Sequence, residues 1–233
     1  TVFPHVLNET FWEAVIMPIM HFALLSYLPL ELVERGRNPW LSIALCPFMF
    51  FRRTFYREIG GHASVKGEIA EDVCLGRLVK KAGGHLVLAD GTNVVRVRFY
   101  HGFGEVWRGL SKSTYAAVNY SAIALLALVS FNLLAFAAPY YFLYLGLLNG
   151  FRGLDYVTLP MIQVLIGWGI RLMLAQRFRQ RRLFSFLHPL TVAMGALMAL
   201  NSIRWSAFGG GPSWKGRTYS VEEGGYLLHR QSK

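Results

Sequence analysis

The sequence has 233 residues and a net charge of +11, with 54% hydrophobic and only 16% charged residues. Disorder needs low hydrophobicity together with high charge and is excluded; so is a disulfide-stapled secreted module, because Cys46 and Cys74 are the only cysteines and are not closely spaced. A basic chain this apolar is not a small soluble nucleic-acid binder, and it points to a membrane protein whose positive loops face an anionic leaflet.

The charge divides unevenly. Residues 1–112 hold 13 basic and 10 acidic side chains, the balance of an ordinary folded domain. Residues 113–233 hold 11 basic and 3 acidic ones. The expected organisation is a soluble part over 1–118, membrane helices over 119–205 and a basic tail over 206–233. The opening Thr-Val-Phe-Pro reads as the interior of a longer chain, with no signal peptide.

In chain order, the apolar stretch Phe11–Leu30 is interrupted by Glu13 and His21 and broken by Pro18 and Pro29. It reads as a broken helix in an interfacial segment over 10–34, with the charged groups facing water; a helix buried in the domain fits the same pattern. Residues 43–51 are a continuous apolar run of strand length, with Pro47 favouring an edge or a bulge. Arg52–Ile59 predicts a short helix stopped by Gly60-Gly61. The clearest helix is 71–82. Leu75, Leu78, Val79 and Ala82 share one face, Glu71 and Asp72 occupy the first turn, and Lys80 and Lys81 the last. His85–Ala89 and Thr92–Tyr100 read as strands joined into a hairpin by Asp90-Gly91. A helix over 103–115 then leads into the membrane.

Ser121–Leu148 is 28 residues without an ionisable side chain at neutral pH, more than the roughly 20 that cross a bilayer. Tyr156–Ala175 is a second span and Phe186–Ile203 a shorter third. Between the last two lie Arg177, Arg179, Arg181 and Arg182, a cytoplasmic-loop signal. Three crossings put the tail on the far side, yet the basic tail favours the near one. A bent pair around Pro139 or a re-entrant segment would remove the conflict.

Two adjacent acids at a helix start can place a carboxylate at the mouth of a site, where it accepts a proton from an attacking hydroxyl. Glu71 and Asp72 are therefore the strongest candidates, although acids in a first turn also serve the helix dipole alone. Gly60, Gly61 and His62 form a candidate loop. Glu105, Trp107, Arg108 and Lys112 lie on the helix entering the membrane, a level at which Trp and basic residues are ordinary anchors. No His-x-x-x-His, Cys-x-x-Cys or phosphate-binding glycine loop is present, so the residues assign no metal.

The run from Pro47 through Gly60-Gly61-His62, then Ala-Glu-Asp-Val-Cys-Leu-Gly-Arg-Leu at 70–78, Val-Arg-Phe-Tyr at 97–100 and Glu-Val-Trp-Arg-Gly-Leu-Ser-Lys at 105–112 resembles the second half of a family 2 inverting glycosyltransferase of the GT-A fold. Trp214–Tyr219 adds to the likeness. Within that family it is most similar to membrane-bound, lipid-modifying members such as hopanoid-associated and carotenoid-acid glycosyltransferases. The resemblance implies an α/β class, a partial GT-A-like domain followed by a transmembrane bundle of about three helices. It implies Asp72 as catalytic base supported by Glu71, with Gly60, Gly61, His62 and Trp107 on the acceptor side and Arg108 and Lys112 near the leaving diphosphate. The implied partners are a nucleotide-sugar donor, a lipid acceptor and the membrane, with no nucleic acid, in an integral protein of the bacterial inner membrane whose catalytic part is cytoplasmic.

The departures are as informative. The family's nucleotide-binding half, with its Asp-x-Asp motif for Mg or Mn, would lie upstream, so the divalent metal is expected only in a longer enzyme and this stretch alone is expected to be inactive. The Gln-x-x-Arg-Trp of processive polysaccharide synthases is missing. Cys46-Pro47 stands where the family has small residues. The competing reading is a non-catalytic membrane anchor or scaffold that binds anionic lipid or a partner protein through Arg177–Arg182.

Overall fold

The computed structural model describes residues 1–66, 68–148, 150, 154–208, 213–214 and 217–218. The described residues are mostly helical, and α/β character is confined to two short parallel pairs. Strand β1 (Val2–Phe3) pairs with β3 (Ala89–Asp90), and β2 (His5–Val6) pairs with β4 (Arg96–Val97).

The hairpin expected at Asp90-Gly91 is therefore wrong. Asp90 Oδ1 accepts from the Thr92 N–H (2.9 Å) and hydroxyl (2.7 Å), making a side-chain-closed turn. The N-terminal strand pairs with both flanks of that turn. A Cβ on Gly91 would lie 2.5 Å from Val2 Cγ2, so only glycine lets the first strand pass. Nor is 43–51 a strand. The Phe48 N–H bonds the Leu45 carbonyl (3.2 Å), and the Thr1 hydroxyl accepts from the Leu45 N–H (3.0 Å) and lies 2.9 Å from the Phe48 carbonyl. Pro47 sits within this turn.

The stretch 11–35 breaks where its prolines predict, into α1 (Phe11–Ile16), α2 (Pro18–Tyr27) and α3 (Leu30–Arg35). The charged groups do not face water. Glu13 is fully buried and His21 is 3% exposed. Glu13 works as a clasp. Its carboxylate accepts from Arg98 Nη2 (3.0 Å) and Nε (3.1 Å), the Gly102 N–H (2.6 Å), the Glu9 N–H (2.9 Å) and the Thr10 hydroxyl (2.8 Å). Burial alone would raise its pKa, but these donors, Arg98 foremost, hold it far below the usual carboxylate range. His21 packs on Phe178 with ring centroids 4.1 Å apart, and burial pushes its pKa down to about 4.

Helices α4 (Arg53–Glu58), α5 (Glu71–Lys81) and α6 (Gly102–Ala117) form close to their expected bounds. The Gly60 (φ +77°) and Gly83 (φ +76°) residues that follow α4 and α5 sit in the left-handed region. Lys80, buried in the last turn of α5, donates to the Leu41 carbonyl (2.5 Å). Val106 of α6 enters a core with Val15, Ile16, Met17 and Met198, so the domain and the last apolar helix share one interior.

Three helical stretches are long and apolar enough to cross a membrane: Ala122–Leu148, Tyr156–Arg177 and Arg182–Ser206. The first divides into α7 (Ala122–Phe136) and α8 (Ala138–Leu148) just before Pro139. The others contain α9 (Leu159–Arg177) and α10 (His188–Phe208). A last pair, β5 (Ser213–Trp214) with β6 (Arg217–Thr218), overlaps the Trp214–Tyr219 motif, the rest of which lies outside the described residues.

Glu13→Ala is expected to lower the thermal midpoint strongly, at about 1–3 kcal/mol for each buried donor left unpaired, notably the Gly102 and Glu9 N–H groups. Because the folded pKa is depressed, the wild type's advantage over the variant is full above the unfolded pKa. It fades as the pH falls through and below the ordinary glutamate range. Thermal melts of both proteins across pH check the sign.

Candidate active site

Asp72 is the second residue of α5, whose preceding residue, Ala70, gives no side-chain cap. Its carboxylate serves the chain instead. Oδ1 accepts from the Val73 N–H (2.8 Å) and Oδ2 from the Cys46 N–H (3.2 Å). Cys46-Pro47, without a role in the sequence reading, thus supplies a backbone donor that fixes the carboxylate's orientation.

Burial raises the Asp72 pKa above the ordinary aspartate value, against the pull of these donors and of the Lys112 charge. A raised carboxylate pKa is what a general base operating near neutrality requires. Glu71, its neighbour, is exposed. The charges of both Asp72 and Glu71 act on Cys46, whose thiol pKa is pushed up to about 11, first by burial. The thiol is therefore held protonated and is a poor nucleophile.

On α6, Glu105, Arg108 and Lys112 follow the i, i+3, i+7 spacing of one face. Their roles separate along it. Glu105 accepts from the His101 N–H (2.8 Å) and caps the helix start, and Arg108 is exposed beside it. Lys112 is the member whose charge reaches Asp72 and Cys46. Trp107 lies on a different face, in the core shared with α1, its ring 5.8 Å from Phe103.

His62 is exposed, with Nδ1 2.6 Å from the Tyr56 hydroxyl. Gly61 (φ +55°) is pressed on the same tyrosine, where an added Cβ would meet the ring at 2.5 Å. The Gly60-Gly61-His62 loop is thus organised by Tyr56 and runs into a 3-10 turn, Gly61–Val65, that packs on α5.

Tyr100 is the residue that motif reading passed over. Its ring lies on Gly109, where a Cβ would be 2.3 Å from two ring carbons. Its hydroxyl pKa is pushed up to about 12 by burial and then by the charges of Cys46 and Asp72. The signal was present, since Tyr100 closes the Val-Arg-Phe-Tyr motif.

A second tie fixes the two helices relative to each other. Arg77 of α5 donates to Asn119 Oδ1 (2.5 Å) just beyond α6 and stacks 5.1 Å from the Trp40 ring centroid.

A cleft of about 430 Å³ opens elsewhere, lined by Thr1, Met49, Phe50, Phe55, Gly84 and Val87 among others, without the carboxylates. Among the described residues, no three His, Cys, Asp or Glu side chains group as a metal site. No step below runs through a metal.

A family model for glycosyl transferases matches residues 36–227, which includes all of these groups except Thr1. The chain belongs to glycosyl transferase family 21. No curated protein and no solved structure matches it significantly. The family 21 match begins after α3, so Glu13 lies outside it while its partners Arg98 and Gly102, and Cys46, Asp72, Tyr100 and Lys112, lie inside.

Because the folded pKa of Asp72 is raised, its ionised form costs stability. The contribution is full below the unfolded pKa and is lost as the pH rises through the folded one. Asp72→Asn removes this penalty but offers one carbonyl oxygen to the two N–H groups that the carboxylate serves, so the wild type should gain on the variant as the pH falls from neutral to about pH 4, where aspartate takes up its proton. Melting curves at the two pH values test this.

Proposed function

We propose that this family 21 chain forms the acceptor side of an inverting glycosyltransferase that moves a sugar from a nucleotide-sugar donor to a hydroxyl of a membrane lipid. The observation that carries the reading is the half-buried Asp72 carboxylate, oriented by the Cys46 N–H, of raised pKa and in the field of Lys112.

In the proposed step, Asp72 takes the proton of the acceptor hydroxyl as that oxygen attacks the anomeric carbon. The bond from that carbon to the nucleotide diphosphate breaks as the new one forms, so the configuration inverts. The leaving group departs with the bonding electron pair and a negative charge. Lys112, and Arg108 one turn earlier on the same face, offer positive potential for that charge. Tyr100, with its proton firmly held, can donate a hydrogen bond to the acceptor.

The nucleotide-binding part of the GT-A fold and its metal are expected upstream in the full-length protein. The likeness to family 2 and to hopanoid and carotenoid-acid enzymes supports a lipid acceptor, as does the direct run of α6 into apolar α7.

The anchor reading has less support. Arg177 pairs with Asp90 (2.5 Å) and Arg179 bonds Asn93 (2.5 Å), so two of the loop's four arginines are engaged within the molecule.

In membranes holding the full-length protein, Asp72→Asn should lower transfer by at least about 100-fold, the smaller end of what a general base contributes, with unchanged abundance. Transfer at the wild-type rate would remove the base assignment and favour the anchor. Lys112→Met should move the acidic limb of the pH–rate profile to higher pH, because the cation that lowers the Asp72 pKa is gone.

A further inference from the structure

Hydropathy counts three crossings, but the third apolar helix does not lead where a third crossing would. The near end of the bundle is marked by the domain. Arg177, the last residue of α9, pairs with Asp90, and Arg179 bonds Asn93. The far end is where α8 meets the start of the next span. A Cβ on Gly146 would lie 2.7 Å from the Tyr156 carbonyl oxygen. Between these ends α9 returns antiparallel to α8, with Gly167 beside Phe136. The stretches 122–148 and 156–177 are thus a complete excursion out and back.

Helix α10 starts partway along that excursion. The His188 ring lies 5.1 Å from Phe136, at the end of α7, and 4.5 Å from Phe22 of the domain. From there α10 runs back towards the domain. The Thr191 hydroxyl donates to the Val15 carbonyl (2.7 Å), and a Cβ on Gly195 would lie 2.6 Å from Ile19. Met198 shares a core with Val106. Asn201 Nδ2 donates to the Ser111 hydroxyl (3.1 Å), and the Ser202 hydroxyl accepts from the Tyr115 N–H (3.1 Å). A helix bound for the far side would end beside Leu148 and Tyr156. This one ends beside Tyr115, ahead of the first span, and the β5–β6 pair that follows also rests on α6.

We infer that the chain crosses the membrane twice, through α7–α8 and α9, and that the stretch 182–208 is re-entrant: it dips to mid-depth, where α10 begins, and both its ends stay on the domain's side. Its surface away from the domain fits the acyl chains of the near leaflet. Leu183, Phe186, Leu197 and Leu200 are exposed, and 183–203 carries no Asp, Glu, Lys or Arg. Buried Thr191 and Ser202 and half-buried Asn201 turn the other way and bond the domain. The arrangement also puts the arginines at 177–182 on the same side as Arg204, Lys215, Arg217, Arg230 and Lys233, which satisfies the positive-inside rule that three crossings violate.

Sealed membrane vesicles holding the full chain test this. In a Cys46→Ser, Cys74→Ala background, single cysteines are placed at Arg57→Cys in the domain, at Arg204→Cys and at Ser232→Cys. A Gly-Cys-Gly insertion after Gly150 marks the far end. A membrane-impermeant maleimide should label positions 57, 204 and 232 in vesicles of one orientation, and the insertion only in the other. Labelling of 232 together with the insertion would overturn the inference. The otherwise native chain with an epitope after Lys233 gives an independent readout. Protease that digests the domain should also remove the epitope, and an epitope that survives on a membrane-protected fragment would restore the third crossing.

Discussion

The Glu13 carboxylate is the joint on which the rest of the molecule turns. It draws Arg98 from the strand side, the Gly102 N–H from the first residue of α6 and the Glu9 N–H from its own side of α1 to one point in the interior. A charge taken out of water at this depth is tolerable only when every lone pair finds a donor, and here the donors come from segments almost ninety residues apart. The direction of α6 is set at that point. Lys112, the seat of Tyr100 on Gly109 and the entry to the first span all follow from it.

Asp72 is the opposite solution to the same electrostatic problem. Glu13 is buried with donors enough to stay charged, whereas half-buried Asp72 has backbone donors and a lysine whose pull does not offset its desolvation. One carboxylate is spent on architecture and the other is left eager for a proton. That contrast separates an acid held charged from one pushed towards its protonated form within a single domain, and it follows the donors each has found.

Local periodicity made much of this legible. The helices at 71–81 and 102–117 and the long apolar spans follow from spacing, terminal charges and glycine stops that act within a few residues. The failures share one cause, which is partners distant in sequence. Asp90-Gly91 has the composition of a hairpin turn, but residues 2–6 compete for both its flanks and win. Glu13 looks like an acid on the wet face of a helix because Arg98 cannot be seen from residue 13. For the site, spacing offered only the Glu71-Asp72 pair and the resemblance singled out Asp72, while the Cys46 N–H that orients it could be read from neither. Tyr100 and Cys46 contribute through a ring resting on a glycine and a backbone donor, and neither leaves a spacing pattern to find.

The parallel pairing of residues 2–6 with 89–97 has a consequence for biogenesis. The first strand pair cannot form until the chain has been made past Asp90 and the second until it is past Val97, and the clasp on Glu13 waits for Gly102. Such long-range closure is intrinsically slow. Only some twenty further residues separate Gly102 from the first hydrophobic span at Ala122. The growing chain therefore presents α7 to the insertion machinery at about the moment its soluble part first becomes able to close. Membrane insertion and domain closure are thus concurrent, and the core around α1 is complete only when Met198 of α10, made last, arrives.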